Sequence, residues 1–362
     1  MEPLVSILIP AYNAEAWIAD TIESALGQTW RRKEIIIVDD GSTDRTQAIA
    51  RRFASREVTI VAQENQGQAA ARNRALWLSQ GDYIQWLDAD DLLSADKIAK
   101  QMEAVQVCPS LRTLLSSEWG YFAYRTDRAE FRPTSLWCDL SPVEWLLRKM
   151  AENLHMQTAT WLVSRAVTEA AGAWDKRLSN DGDGEYFCRV LLVSDGIRFV
   201  PGARVFYRMT PPNRVSHIGR SDKKKDARFL SMQLHVQYLQ SLENSDRVRA
   251  ACVAYLQNWL IVFYPERADI VRELEKLASS LGGWLEMPRL RWKYAWIKLI
   301  FGWNLGKRAE IDFPQLKAYL VRSWDGVMYN LEKALRGHRI VNDELKPGVL
   351  VDDTIPIDRL KR

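Results

Sequence analysis

Glu34-Ile35-Ile36-Ile37-Val38-Asp39-Asp40-Gly41-Ser42-Thr43-Asp44 decides the fold class. Residues 34–38 are almost unbroken Ile and Val, the pattern of a strand covered on both faces, as strands of parallel sheets are. The run stops in a polar turn. Ser42, Thr43 or Asp44 can cap the helix that follows, which carries Ile49 and Phe53 at i, i+4. The same unit recurs on both sides. Residues 5–10 form a short apolar run that ends in Pro10-Ala11-Tyr12-Asn13. Asn13 is read as an N-cap, and Ile18, Ile22, Ala25 and Thr29 fall on one helical face after it. A third strand, 58–62, leads through Asn65-Gln66-Gly67 into an alanine-rich helix, 68–78. Tyr83, Ile84, Trp86 and Leu87 then read as a fourth, buried strand. Repeated β–α units predict a parallel, doubly wound sheet whose ligands bind beyond the carboxyl ends of the strands. Tyr12-Asn13, Asp39-Asp40 and Asp88-Ala89-Asp90 all lie at such ends, so they are expected to face one crevice.

The fourth strand closes on Asp88-Ala89-Asp90-Asp91. Carboxylates this close raise one another's pKa unless a cation sits between them. Oxygen ligands in that arrangement suit Mg²⁺ or Mn²⁺, with phosphate oxygens completing the shell. The competing reading is an acidic turn capping a helix that begins near Ser94.

From 110 to 215 the pattern is mixed. Strands are expected at 111–117, 120–125 and within 197–207, and helices at 141–151, 167–171 and 184–193. Beyond Ser221 the chain reads as helical over 226–241, 245–263 and 267–281, with Gly282-Gly283 as a break. This divides the chain into a catalytic domain (1–220), a helical extension (221–283) and a basic, aromatic tail (284–362). Bulk properties exclude several classes. With 47% hydrophobic and 27% charged residues, disorder is not expected. A net charge of +4 is too small and dispersed to argue for nucleic acid. Cys108, Cys138, Cys188 and Cys252 are scattered without metal-ligand spacing and read as reduced thiols. No secretory leader and no bilayer-spanning run is apparent. His155 and His217 stand alone and read as structural.

Together, Val5-Ser6-Ile7-Leu8-Ile9-Pro10-Ala11-Tyr12-Asn13, Ile37-Val38-Asp39-Asp40-Gly41-Ser42-Thr43-Asp44, Asn65-Gln66-Gly67 with Ala71-Arg72-Asn73, and Asp88-Ala89-Asp90-Asp91 resemble the family 2 glycosyltransferases over roughly residues 4–215. The resemblance implies a GT-A fold, a Rossmann-like, mostly parallel α/β sheet flanked by helices, here with a helical C-terminal region. It implies an inverting, non-processive transfer from a nucleoside diphosphate sugar, UDP-linked, to a saccharide or lipid-linked acceptor in surface polysaccharide assembly. It places Pro10, Ala11 and Tyr12 beside base and ribose, and Asp40, with Asp39 nearby, on the nucleobase. Arg72 would neutralise diphosphate charge. Asp88 and Asp90 would hold a divalent metal, Asp90 most directly.

An inverting transfer also needs a base for the acceptor hydroxyl. Aligning Arg189 with the family's arginine puts Asp183 there, although the family's Glu-Asp pair is Gly182-Asp183 here, and Asp181 and Glu185 lie close by. Trp137, Trp161 and Trp174 are candidate sugar-stacking faces, with a core role as the alternative. The Gln-x-x-Arg-Trp signature of membrane-embedded synthases is missing. The other readings are a sugar-nucleotide nucleotidyltransferase, which would need a glycine- and arginine-rich first loop, and an inactive nucleotide-binding scaffold. In the tail, residues 289–303 hold no acid, and Trp292, Trp296, Leu299 and Trp303 share one helical face. This suits a membrane interface, or equally a face packed on the catalytic domain or another subunit. The expected location is cytoplasmic, peripheral at the inner face of the membrane.

Overall fold

The computed structural model describes residues 2–107, 110–209, 218–219 and 221–344, excluding the side chains of 311, 314, 315, 317, 318 and 332–344. Cys108 and His217 lie outside the described residues. The first half alternates as its apolar runs dictate: β1 (Val5–Ala11), α1 (Ile18–Leu26), β2 (Lys33–Asp40), α2 (Thr46–Arg51), β3 (Val58–Gln63), α3 (Gln68–Leu78) and β4 (Tyr83–Trp86). These strands pair in parallel in the order β3-β2-β1-β4, with Ala11 opposite Asp39 and Leu8 opposite Trp86. Every residue of β1 and β4 is buried, as the continuous apolar runs require.

Past β4 the sheet becomes mixed. The chain continues through β5 (Leu92–Leu93), α4 (Lys97–Val107), β6 (Thr113–Phe122), β7 (Glu130–Phe131), α5 (Pro142–Ala151), β8 (Leu162–Ser164), α6 (Arg165–Ala171), α7 (Gly182–Leu192) and β9 (Gly196–Arg208). β8 pairs antiparallel to β4 and to β6, whereas β6 and β9 are parallel. The two strands expected at 111–117 and 120–125 are one strand, β6, whose register against β9 shifts between Ser117 and Glu118. That irregularity interrupts the apolar alternation. Ser141 caps α5, its Oγ accepting from Glu144 N at 3.2 Å with Pro142 in the first turn.

α8 (Asp222–Leu242), α9 (Asp246–Phe263) and α10 (Ala268–Ser280) share one hydrophobic core with the sheet: Met232, Leu239, Leu256 and Leu274 join the cluster that holds Ile7, Ile37 and Trp86. α11 (Trp292–Phe301) and α12 (Trp303–Glu344) follow. The single tail helix expected over 289–303 is broken at Gly302, whose φ of +84° ends α11. Trp303 therefore belongs to another helix, where it meets Tyr264 edge-on.

Candidate active site

The loops after β1 and β2 are fastened to each other by side chains. Asn13 adopts left-handed backbone (φ +48°) and caps no helix; α1 begins only at Ile18. Its Oδ1 instead accepts from Thr43 N at 2.8 Å, and its own N–H donates to Ser42 Oγ at 3.0 Å. Asp44 accepts from Glu15 N and from Thr46 N, tying the start of α2 to the same corner.

Asp39 and Asp40 are adjacent and both buried, yet their surroundings differ. Asp40 Oδ1 accepts from Gln63 Nε2 (2.7 Å) and Gln66 N (3.0 Å), and Oδ2 from Gly67 N (2.8 Å). It holds the 65–67 turn, and Gly41 must be glycine there: its φ is +71°, and a Cβ would stand 2.8 Å from Asn65 N. Asp39 accepts only a long bond, 3.3 Å, from Ser42 N among the described residues, and its buried Oδ1 has no partner. A buried carboxylate oxygen without a donor is costly, and an external N–H would satisfy it. Pro10 and Ala11 are buried beside it, and Tyr12 is exposed.

Gly67 (φ +91°) opens α3, which presents Gln68 and Arg72 one turn apart toward Asp88. Arg72 is buried, and its Nη2 lies 2.8 Å from Asp88 Oδ1. Its guanidinium sits 4.1 Å above the Trp174 ring, while Asn73 and Trp174 exchange two hydrogen bonds, Nδ2 to O at 3.0 Å and N to Oδ1 at 2.8 Å. The motif thus clamps a cation on an aromatic platform beside the acids.

Asp88 and Asp90 are partly exposed, whereas Asp91 is fully buried, accepting from Gln157 Nε2 (2.6 Å) and Arg208 N (2.8 Å). Burial first, then the charges of Asp90 and Asp88, raise the Asp91 carboxyl well above the usual range, which records concentrated negative potential at this strand end. No group of three His, Cys, Asp or Glu side chains able to hold a metal is found among the described residues. Two carboxylates with further oxygens from a diphosphate are nevertheless an ordinary Mg²⁺ donor set, and Asp88 and Asp90 fit it.

The three acids near the start of α7 serve different ends. Asp181 (φ +60°) accepts from Ser231 Oγ at 2.7 Å and pairs with Arg228 Nη1 at 2.6 Å. Burial pushes its carboxyl up, but Arg228, followed by His235 and Lys149, pulls it down to about 2. Glu185 is buried in a two-pronged pair with Arg189 (2.6 and 2.9 Å) and accepts from Tyr238 OH. Asp183 is partly exposed and accepts a 3.4 Å bond from Thr158 Oγ1. Gln157 bonds Asp91 and Thr158 bonds Asp183, so one short segment spans the strand-end acids and the start of α7.

Two of the tryptophans take the core alternative. Trp161 is buried against Phe187, and Trp174 lies flat on Tyr186 at 3.9 Å with an interplanar angle of 7°. Trp137 stacks on Phe199. A further aromatic group stands on β6 and the loop after α5. Trp119 packs on His155 (4.8 Å) and Tyr121 (5.1 Å), at a cavity of about 190 Å³ lined also by Glu130, Arg132 and Asn153. The i, i+2 spacing of Trp119 and Tyr121 on one strand face was the available signal. Arg208, buried between Trp17 and Phe122 and bonded to Asp90 O, had none.

This geometry defines a GT-A type α/β fold with a polar crevice at the strand ends. Residues 6–114 of the chain match the model of Glycosyl transferase family 2. Over 105 residues it is 45% identical to the "Putative teichuronic acid biosynthesis glycosyltransferase TuaG" of Bacillus subtilis (28% of this chain, 42% of that protein). Over 104 residues it is 45% identical to "UDP-Glc:alpha-D-GlcNAc-diphosphoundecaprenol beta-1,3-glucosyltransferase WfaP" of Escherichia coli (28% and 41%). The aligned stretches span less than half the length of these relatives. The structure of S. aureus TarS in complex with UDP-GlcNAc superposes with a TM-score of 0.54 at 17% identity, covering 86% of this chain and 91% of that one; the likeness is one of fold.

Proposed function

We propose that the protein is an inverting, non-processive glycosyltransferase that moves a sugar from a UDP-linked donor to a hydroxyl of a saccharide or lipid-linked acceptor in surface polysaccharide assembly. The observation that carries this is the Gln157-Thr158 segment, which hydrogen-bonds the Asp91 end of the acidic cluster and Asp183 with successive side chains. A donor phosphate site and a base are thereby held on one rigid frame. Uracil suits Asp39, whose unpartnered Oδ1 awaits an N–H; Asp40 shapes the turn beside it. A divalent ion held by Asp88 and Asp90 would supply charge neutralisation on the diphosphate, and Arg72 adds a fixed positive charge. Asp183 takes the acceptor proton as its oxygen bonds to the anomeric carbon. The bond to the diphosphate breaks on the opposite side, and UDP leaves with the electron pair. The cavity at Trp119 offers an aromatic wall for the acceptor. The names of relatives acting on a UDP-sugar and a diphosphoundecaprenol-linked sugar support this choice of substrates.

The test is titration of the purified protein with UDP and a panel of UDP-sugars, with Mn²⁺ and with chelator, followed by NMR of the product's anomeric centre. Metal-enhanced UDP binding and an inverted product are expected. Release of pyrophosphate from a nucleoside triphosphate and a sugar phosphate would establish the nucleotidyltransferase instead, and absence of any turnover of a bound donor would leave a scaffold.

A further inference from the structure

The two tail helices carry an apolar surface that faces away from the molecule. On α11, Trp292 and Leu299 are 88% and 89% exposed, and Trp296, Ile300 and Phe301 are also exposed. On α12, Phe313, Leu316, Leu320, Trp324, Val327 and Leu331 are all exposed. Their spacing of three and four residues confines them to about 100° of arc. The opposite side of α12 is the one bound to the protein. Asp325 pairs with Arg125 at 2.6 Å and accepts from the backbone N–H groups of Tyr124 and Arg125. Tyr329 stacks on Tyr124, and Lys307 pairs with Glu266. The stripe is thus held outward by contacts on the other face. It runs on into α11 where Phe313 stacks against Tyr294 at 6.1 Å.

The first of the two helices is basic. Residues 289–303 contain Arg289, Arg291, Lys293 and Lys298 and no acid, and of these Arg289 pairs with Glu286 and Arg291 with Glu310. Lys293 and Lys298 lie over the rings of Tyr294 and Trp303 and are themselves exposed. No helix among the described residues is long and apolar enough to cross a membrane, so the surface suits lying on a bilayer. Tryptophan and phenylalanine beneath a basic rim is the composition of interfacial helices on anionic lipid. Exposed Lys293 and Lys298 share α11 with exposed Trp292 and Trp296, a pairing of charge and aromatic rings that fits an anionic lipid surface.

We infer that α11 and the outward stripe of α12 form a docking surface for the interface of an anionic lipid bilayer. The strap at Asp325 fixes that surface relative to the crevice: Tyr124, which it holds, packs on Trp17, and Trp17 lies under Arg208, the residue bonded to Asp90 O. Docking would therefore set the height and tilt of the site above the membrane, where a lipid-linked acceptor reaches it.

The experiment is co-sedimentation of the full chain with vesicles of phosphatidylcholine containing phosphatidylglycerol, and with phosphatidylcholine alone, at low and high salt. Sedimentation with the anionic vesicles only, weakened by salt, is expected. Lys293→Gln/Lys298→Gln should lower partitioning about 25-fold, roughly fivefold per lysine. Trp292→Glu/Trp296→Glu/Leu299→Glu, at positions already exposed, should abolish it while UDP affinity stays unchanged, which keeps this test separate from that of the donor site. Brominated lipid should quench the tryptophan fluorescence of the wild-type protein, a readout that needs no variant. Equal binding to neutral vesicles, no binding to either, no quenching, or a wild-type dimer that the triple variant converts to monomer would each overturn the assignment.

Discussion

Exchange of Asp39 for asparagine separates two neighbouring carboxylates that sequence alone treats alike. Asp39 Oδ1 is buried with no protein donor, and its Oδ2 accepts one long bond from Ser42 N. In the Asp39→Asn variant the new amide can keep the Ser42 bond with its oxygen and turn its NH₂ into the base site. That NH₂ opposes the N3–H of uracil, donor against donor. Loss of a charge-assisted hydrogen bond is worth about 2–3 kcal/mol, so UDP affinity should fall roughly 30- to 150-fold. Cytosine offers an acceptor at N3, so CDP should lose far less affinity or gain it. The free protein should be as stable as wild type or slightly more so, because an unpaired buried charge is gone. Asp40→Asn should do the reverse to stability. Its carboxylate accepts from Gln63, Gln66 and Gly67, and one oxygen cannot replace two. A loss of about 2–3 kcal/mol lowers Tm by about 3–4 °C in a domain of this size. Calorimetric titration with UDP and CDP, with thermal melts of both variants, checks this. The reasoning is refuted if Asp39→Asn binds UDP as wild type does, or if Asp39→Asn is the less stable of the two.

Asp183→Asn should lower kcat by about 10²- to 10⁴-fold, the usual worth of a general base, without changing UDP affinity; single-turnover rates with calorimetric binding show whether it does. Asp90→Asn should leave UDP affinity in chelator intact and remove its enhancement by Mn²⁺, measured by the same titration. Asp181 has a folded-state pKa of about 2 against an ordinary 3.8. Its pairing therefore stabilises the fold fully above about pH 4, and that contribution is lost as pH falls through 2. Acid unfolding of Asp181→Asn should begin from lower stability at neutral pH and converge with wild type in that window, as followed by far-UV circular dichroism.

What was legible in the chain follows from where the information lies. Parallel strands buried on both faces write themselves as unbroken Ile and Val, so 34–38 foretold β2, which extends one residue earlier and two later, through Asp39 and Asp40. The division of labour between those two acids was not legible. Adjacent residues of a strand point to opposite sides, and which side meets the 65–67 turn depends on β3 and Gly67, not on the acids. Asn13 misled for a similar reason. As an isolated Asn before a helical pattern it reads as a cap, but its left-handed backbone turns the side chain toward Thr43, a contact thirty residues away. Trp161 and Trp174 could not be told from stacking faces, since their burial is set by Phe187, Tyr186 and Arg72.

The strand-end half of the crevice was accessible because it is built from turns that each follow a single strand, so a motif of a few residues carries its chemistry. The other half is assembled differently. Trp119 and Tyr121 come from β6, His155 from the loop after α5, Asp183 from α7, and Arg208 from the end of β9. No short stretch contains two of these elements, and the mixed pairing of β6, β8 and β9 is what brings them together. Of these residues Arg208 is tied to the strand-end motif, through Asp90 O and Asp91, whereas Asp39, Arg72 and Asp88 are carried by β2, α3 and the end of β4. In the proposed enzyme, recognition of the nucleotide would thus rest on local turns and recognition of the acceptor on long-range contacts.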